Sequence, residues 1–154
     1  MNILNEYFSN NIPTSEFFRT MCGQRIGGGA SRDVYEFVPD SSLVVKFEVR
    51  NSMFQNVIEW ETWKEVMETE HAAWFAPCKL ISPCGTVLLQ KRTEKIRDKY
   101  PEKMPSYFTD FKYTNYGMYN DHIVCHDYGT NRMVVTGMNK RMRTANWWEE
   151  GVDS

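Results

Sequence analysis

No two of the four cysteines, Cys22, Cys78, Cys84 and Cys125, form a CxxC pair to go with His71, His122 and His126. A zinc-finger type of metal site is therefore not expected. No apolar stretch approaches the ~18 residues that a membrane-spanning helix needs, so no membrane partner is expected. Charge of one sign is not in excess: the net charge is −2 and the pI about 5.9, which leaves no global basic field for nucleic acid. Met1 to Thr14 carry no basic start followed by an apolar run, so no secretory leader is expected, and the default is a cytosolic chain with reduced thiols. Acidic residues are missing from Tyr128 to Trp148, where Arg132, Lys140, Arg141 and Arg143 fall. That stretch reads first as a solvated basic face, with a binding patch as the alternative.

What the chain does have is aromatic surface. Aromatic residues make up 14% of its 154 positions, with tryptophans at 60, 63, 74, 147 and 148. A chain of this length builds one domain, and large rings raise the buried area per residue. The pair Trp147 and Trp148 reads as a cap on a small core, or alternatively as a protein interface.

Periodicity divides the chain coarsely. A short helical lead-in occupies residues 1–20, where Thr14 or Ser15 caps the helix that holds Phe17 and Phe18. Val34–Val38 and Leu43–Phe47 alternate as strands on either side of a Pro39–Ser42 turn, and a strand before Gly27 completes a glycine-tipped hairpin. Asn56 to Trp74 reads as one helix ended by Pro77, with a stripe of Val57, Trp60, Trp63 and Met67 facing the body. Lys79–Ile81 and Thr86–Gln90 follow as two strands, giving the order β-β-β-α-β-β and an α+β class. Residues 91–107 suggest a linker or short helix, and Ile123–Cys125 a short strand leading into Asp127.

Several fragments in this order carry chemistry. Gly27, Gly28 and Gly29 tip a hairpin, where backbone N–H groups could approach phosphate oxygens unobstructed. Val44 and Lys46 share one face of a strand, so an apolar contact and a phosphate-binding cation would lie on the same side. A lysine so placed needs a carboxylate to hold it extended; Glu59 has the better claim and Glu61 is the competitor. Asp110 and Asn115 stand five apart with Lys112 between them, a spacing that suits a base, a phosphoryl-neutralising cation and a Mg²⁺ ligand. Asp127 heads an Asp-Tyr-Gly run after an apolar strand, a position from which a carboxylate could hold Mg²⁺.

Taken together, Ile26-Gly27-x-Gly29-x-Ser31-x-x-Val34-Tyr35, Val44-x-Lys46, Glu59, Asp110-x-Lys112-x-x-Asn115 and Asp127-Tyr128-Gly129 resemble the motif set of the protein kinase-like superfamily over roughly residues 24–130. The resemblance is greatest to the very short, divergent kinase-like proteins of bacteria and their phages. It implies a single domain over 1–154: a five-stranded antiparallel N-lobe with one helix at about 20–90, and a reduced C-lobe at 91–154. It implies ATP and Mg²⁺ as cofactors. Gly27, Gly28, Gly29, Val34, Val44, Lys46, Glu59 and a hinge at Gln90 would bind the nucleotide. Asp110 and Lys112 would be catalytic, and Asn115 and Asp127 would bind the metal. A phage-encoded copy would work in the cytoplasm of the host.

The chain departs from that pattern at identifiable places. Arg32 stands where the third loop glycine would be, Phe108-Thr109 replace the His-Arg that precedes the base, and no proline follows Pro105, so no Ala-Pro-Glu is present. Three readings follow: a minimal kinase acting on a protein or small-molecule hydroxyl, an inactive kinase-shaped protein that binds a partner, and an unrelated α+β module. A truncated domain could also complete its cover as a homodimer.

Overall fold

The computed structural model describes residues 14–29, 31–48, 53–97 and 99–149. The lead-in before Thr14 and the acidic tail beyond Glu149 lie outside them. A helix, α1 (Thr14–Met21), runs into β1 (Cys22–Gly28), β2 (Arg32–Phe37) and β3 (Leu43–Glu48). Then come α2 (Gln55–Val66), a 3₁₀ turn at Glu70–Trp74, β4 (Cys78–Ile81) and β5 (Val87–Lys91). These five strands form one antiparallel sheet in the order β1-β2-β3-β5-β4, so the class is α+β as expected. No helix among the described residues is long and apolar enough to cross a membrane.

Strand β3 is buried along its whole length because both faces of the sheet are covered. Leu43, Val45 and Phe47 point to one side, where they meet Val87, Leu89, Phe37 and the α1 residues Phe17 and Met21. The other face is set by register: Val34 and Leu88 stand opposite Lys46, and Gln90 stands opposite Val44, so all five side chains share the α2 side. The strand thus separates a wholly apolar face from one on which Lys46 and Gln90 stand among Val34, Val44 and Leu88.

The helix after the sheet differs from its expected form in length and in facing. α2 stops at Val66, not at Pro77, because Thr69 N donates to Val66 O (2.8 Å) and Thr69 Oγ1 then accepts from His71 N, opening the 3₁₀ turn. Its buried residues are Asn56, Glu59, Thr62 and Val66, whereas Val57 is 37% and Met67 48% exposed and Trp60 and Trp63 are only partly covered. The hydrophobic stripe is therefore not the inward face. The inward face is polar because it lies over buried cations on β2 and β3, and those need a carboxylate more than they need apolar cover. Glu48 fixes where the helix begins: its carboxylate accepts from Gln55 N and Asn56 N, both at 2.8 Å, in place of a cap from Phe54, whose phenyl ring has no acceptor.

The second half closes around its own aromatic cluster. β6 (Lys103–Pro105) pairs with β9 (Met142–Thr144), and β7 (Tyr116–Tyr119) pairs with β8 (His122–Cys125), with a short helix α3 (Met133–Thr136) between β8 and β9. Residues 91–107, expected as a linker or short helix, thus contain a strand. Phe75, Tyr107, Phe108, Phe111, Tyr116 and Tyr128 form the buried centre. Trp147 lies across Tyr100, Phe111, Tyr113 and Tyr116 with ring centroids 4.7–5.8 Å apart, and its Nε1 donates to Pro101 O at 2.7 Å. It caps this core, whereas Trp148 remains 44% exposed.

Candidate functional site

Glu59 is the hub. It is fully buried, and four donors converge on its carboxylate. Lys46 Nζ (2.8 Å) and Gln90 Nε2 (3.2 Å) reach Oε1; Arg32 Nη2 (2.5 Å) and Tyr128 N (3.1 Å) reach Oε2. Burial alone would raise its pKa, but the charges of Arg32 and Lys46 outweigh it and bring the carboxyl down to about 2. Glu61, by contrast, lies on the exposed side of α2 and pairs with Lys64 at 3.0 Å.

Lys46 also donates to His126 O, so the sheet is tied directly to the segment that carries Asp127. His126 is locked in turn: Nε2 donates to Thr114 O (2.6 Å), which leaves Nδ1 to accept from the Thr93 hydroxyl at 2.7 Å. Burial and the nearby Lys46 hold the ring neutral. Gly129 is fixed by packing, since a Cβ there would stand 2.7 Å from Gln55 Cβ at the start of α2. The Asp-Tyr-Gly run is thus held at both ends. Tyr128 is buried, its hydroxyl donating to Ala76 O at 2.8 Å.

Asp110, Lys112 and Asn115 sit on one loop. Asp110 is exposed, and Oδ1 accepts from Lys112 N (3.2 Å) in a local turn and from Trp148 Nε1 (3.0 Å). Lys112 Nζ lies 5.4 Å from the centre of the Trp148 ring. Asn115 is the joint: its carbonyl accepts from His126 N (2.9 Å) and Asp127 N (3.3 Å), and its Nδ2 points at Asp110 O at 3.5 Å. The loop and the Asp127 segment therefore meet at Asn115.

The glycine run lies where β1 turns into β2. Gly27 and Gly28 pair with Val34 and Asp33, and Gly29 N donates to Arg32 O at 2.9 Å to close the turn. Val34, Val44, Lys46 and Gln90 share the α2 face of the sheet with Glu59 between them. Gln90 is turned inward onto Glu59, and among the described residues its buried Oε1 has no hydrogen-bond partner. The N–H groups of Lys91 and Arg92, next to the hinge expected at Gln90, donate to Pro77 O and Ser42 O, both at 2.8 Å, so these two amides are already used within the fold.

Arg32 was absent from the expected set. It is 5% exposed, donates through Nη1 to Asn56 Oδ1 (3.2 Å), and bridges Glu59 and Asp127 through Nη2, each at 2.5 Å. The signal for it lay in the alternation: Arg32 is two residues before Val34, hence on the face that carries Lys46. Asp127 keeps 44% of its side chain exposed. Among the described residues no three His, Cys, Asp or Glu side chains gather as a metal cage. Asp127 and Asn115 supply two hard oxygen donors on adjoining segments, a set that suits Mg²⁺ when phosphate oxygens complete the coordination.

No protein-family model, curated protein or solved structure matches the chain.

Proposed function

We propose that the chain is a minimal kinase-like protein that binds Mg-ATP between its five-stranded sheet and the Asp110–Asp127 region, and transfers the γ-phosphoryl group to a hydroxyl of a protein or small molecule. The observation that carries this reading is the buried Lys46–Glu59 pair at 2.8 Å, tied through His126 O to the segment bearing Asp127. A lysine buried beside a carboxylate costs desolvation, and a purely structural position would be served as well by apolar side chains. The arrangement makes sense if Lys46 is held extended for an anionic ligand.

In this reading Lys46 binds the α- and β-phosphates, with Glu59 keeping its Nζ in place. Asp110, exposed beside Lys112, orients the acceptor hydroxyl and takes its proton as the new O–P bond forms and the β–γ bridging bond breaks. Lys112 neutralises the group in flight. Asp127 and Asn115 would hold Mg²⁺, which when bound neutralises charge on the β- and γ-phosphate oxygens.

A second reading is favoured by a specific contact: the Asp110 carboxylate is already engaged by the Trp148 indole. A chain that keeps its base occupied would act by binding a protein partner, or a second copy of itself, instead of by turnover. Asp110→Ala separates the two, since it abolishes transfer by a kinase and leaves partner binding intact.

The test of the nucleotide site is a thermal shift with ATP, with and without Mg²⁺, on the wild type and Asp127→Ala. Ligand that binds only the native state raises Tm. A Mg²⁺-dependent rise that disappears in the variant is expected; no rise in the wild type overturns the nucleotide reading.

A further inference from the structure

Arg32 is the cation that the chain itself places between Glu59 and Asp127. Its Nη2 is shared between Glu59 Oε2 and Asp127 Oδ1, and Asn56 holds Nη1. Glu59 has Lys46 as a second cation and two neutral donors besides, so it does not depend on Arg32 alone. Among the described residues Arg32 is the only cation paired with Asp127.

Resting on the nucleotide reading above, we propose that Arg32 is a phosphate-binding residue that doubles as the resident counter-ion of Asp127. In the ligand-free chain it satisfies the carboxylate that would hold the metal. When a metal-nucleotide enters, Asp127 turns to the divalent cation, and the guanidinium keeps Glu59 and takes a phosphoryl oxygen in place of Asp127. A guanidinium suits this exchange because its planar fork pairs equally well with a carboxylate or a phosphate, and because it serves two acceptors at once. A divalent cation without nucleotide gains little at Asp127, since the guanidinium stays beside it and no phosphoryl oxygen arrives to take its second contact. Metal and nucleotide therefore bind together or hardly at all.

The experiment has two arms. In the first, Mn²⁺ alone is titrated into the full chain and free Mn²⁺ is followed by its electron paramagnetic resonance signal, for the wild type, Arg32→Gln, and Arg32→Gln combined with Asp127→Asn. Removing a positive charge in contact with the carboxylate is expected to tighten Mn²⁺ binding by at least about tenfold, and the double variant to lose that gain. In the second arm, the thermal shift with Mg-ATP is expected to shrink in Arg32→Gln although Asp127 is now free for the metal. Unchanged or weaker Mn²⁺ binding in Arg32→Gln overturns the proposal, as does an undiminished Mg-ATP shift. If Arg32→Gln fails to fold, Arg32→Met takes its place: it keeps a long unbranched stem without the charge, and the same directions are expected. The Mn²⁺ arm uses no nucleotide, so a wild type without any Mg-ATP shift counts against the nucleotide reading and is distinguishable from failure of the Asp127 competition.

Discussion

Trp148 donates its indole N–H to Oδ1 of Asp110 at 3.0 Å across 38 residues of chain. The main chain does the same work beside it: Trp148 N donates to Phe111 O (3.1 Å) and Tyr113 N donates to Trp148 O (3.0 Å). The loop with the candidate base is therefore held by a segment remote in sequence. Its neighbour Trp147 supplies the packing and Trp148 the polar contact, and the two should separate on mutation. Trp147→Ala, which empties a site lined by four rings, is expected to cost about 3 kcal/mol, while Trp148→Phe costs ~1 kcal/mol or less. Urea unfolding of the two variants measures this, and an equal loss in both would contradict the division of roles.

Removing Glu59 leaves Arg32 and Lys46 buried without their shared carboxylate. Glu59→Ala is expected to destabilise the fold by about 3–5 kcal/mol. Glu61→Ala, which breaks only an exposed pair with Lys64, should stay within about 0.5 kcal/mol of the wild type. Thermal unfolding of both variants distinguishes the hub from its near neighbour.

Acid should act through the same carboxyl. An unfolded glutamate takes up its proton near 4.5, whereas folded Glu59 does so only at about 2, so between those values the unfolded chain holds more protons. Stability from this group is complete above pH 4.5 and is lost as pH falls toward 2. Glu59→Gln has nothing to titrate there, and its stability should fall less steeply over that window. A slope identical to the wild type's would show that Glu59 titrates normally.

The thiols should differ sharply in reactivity. Burial pushes Cys22 and Cys78 up to about 12 and raises Cys125 as well. Cys84 is exposed; its slight burial works the other way, but the hydroxyls of Thr86 and Ser82 and the backbone N–H groups of Thr86 and Cys84 outweigh it and lower the thiol. Alkylation of the native chain at neutral pH is expected to modify Cys84 first, and Cys84→Ser to abolish the fast phase. Rapid labelling of Cys78 or Cys125 without denaturant would mean that the second core opens readily.

The five-stranded sheet was readable because the short β-rich runs Val34–Val38, Leu43–Phe47 and Thr86–Gln90, bounded by turn residues, are local information. The facing of α2 was not, because the stripe of Val57, Trp60, Trp63 and Met67 is the more hydrophobic one and loses to a polar face whose partners, Arg32 and Lys46, come from other elements. The strands β6 and β9 were invisible for a related reason: each spans three residues in charged sequence and exists only by pairing with the other. At the site, nearness to the Val57/Trp60/Trp63 stripe favours Glu59 over Glu61 as the partner of Lys46, and the structure pairs the two although that stripe is not the inward face. Arg32 read as a missing glycine, because a motif counts what is absent from a position and not what the new side chain can reach.

The order of synthesis gives the pairing of β9 with β6, and of Trp148 with the Asp110 loop, a further meaning. The sheet and α1 bury Phe17, Phe37, Val45 and Leu89 using residues that leave the ribosome early, and most of their pairing is between neighbouring hairpin strands. The aromatic cluster around Phe111 has no such independence, since Ala145 and Trp147 belong to it. A nascent chain can therefore shelter its first core while the loop bearing Asp110 still waits for its last supports, and any copy broken off short of Trp148 would carry a formed sheet beside an unfinished site.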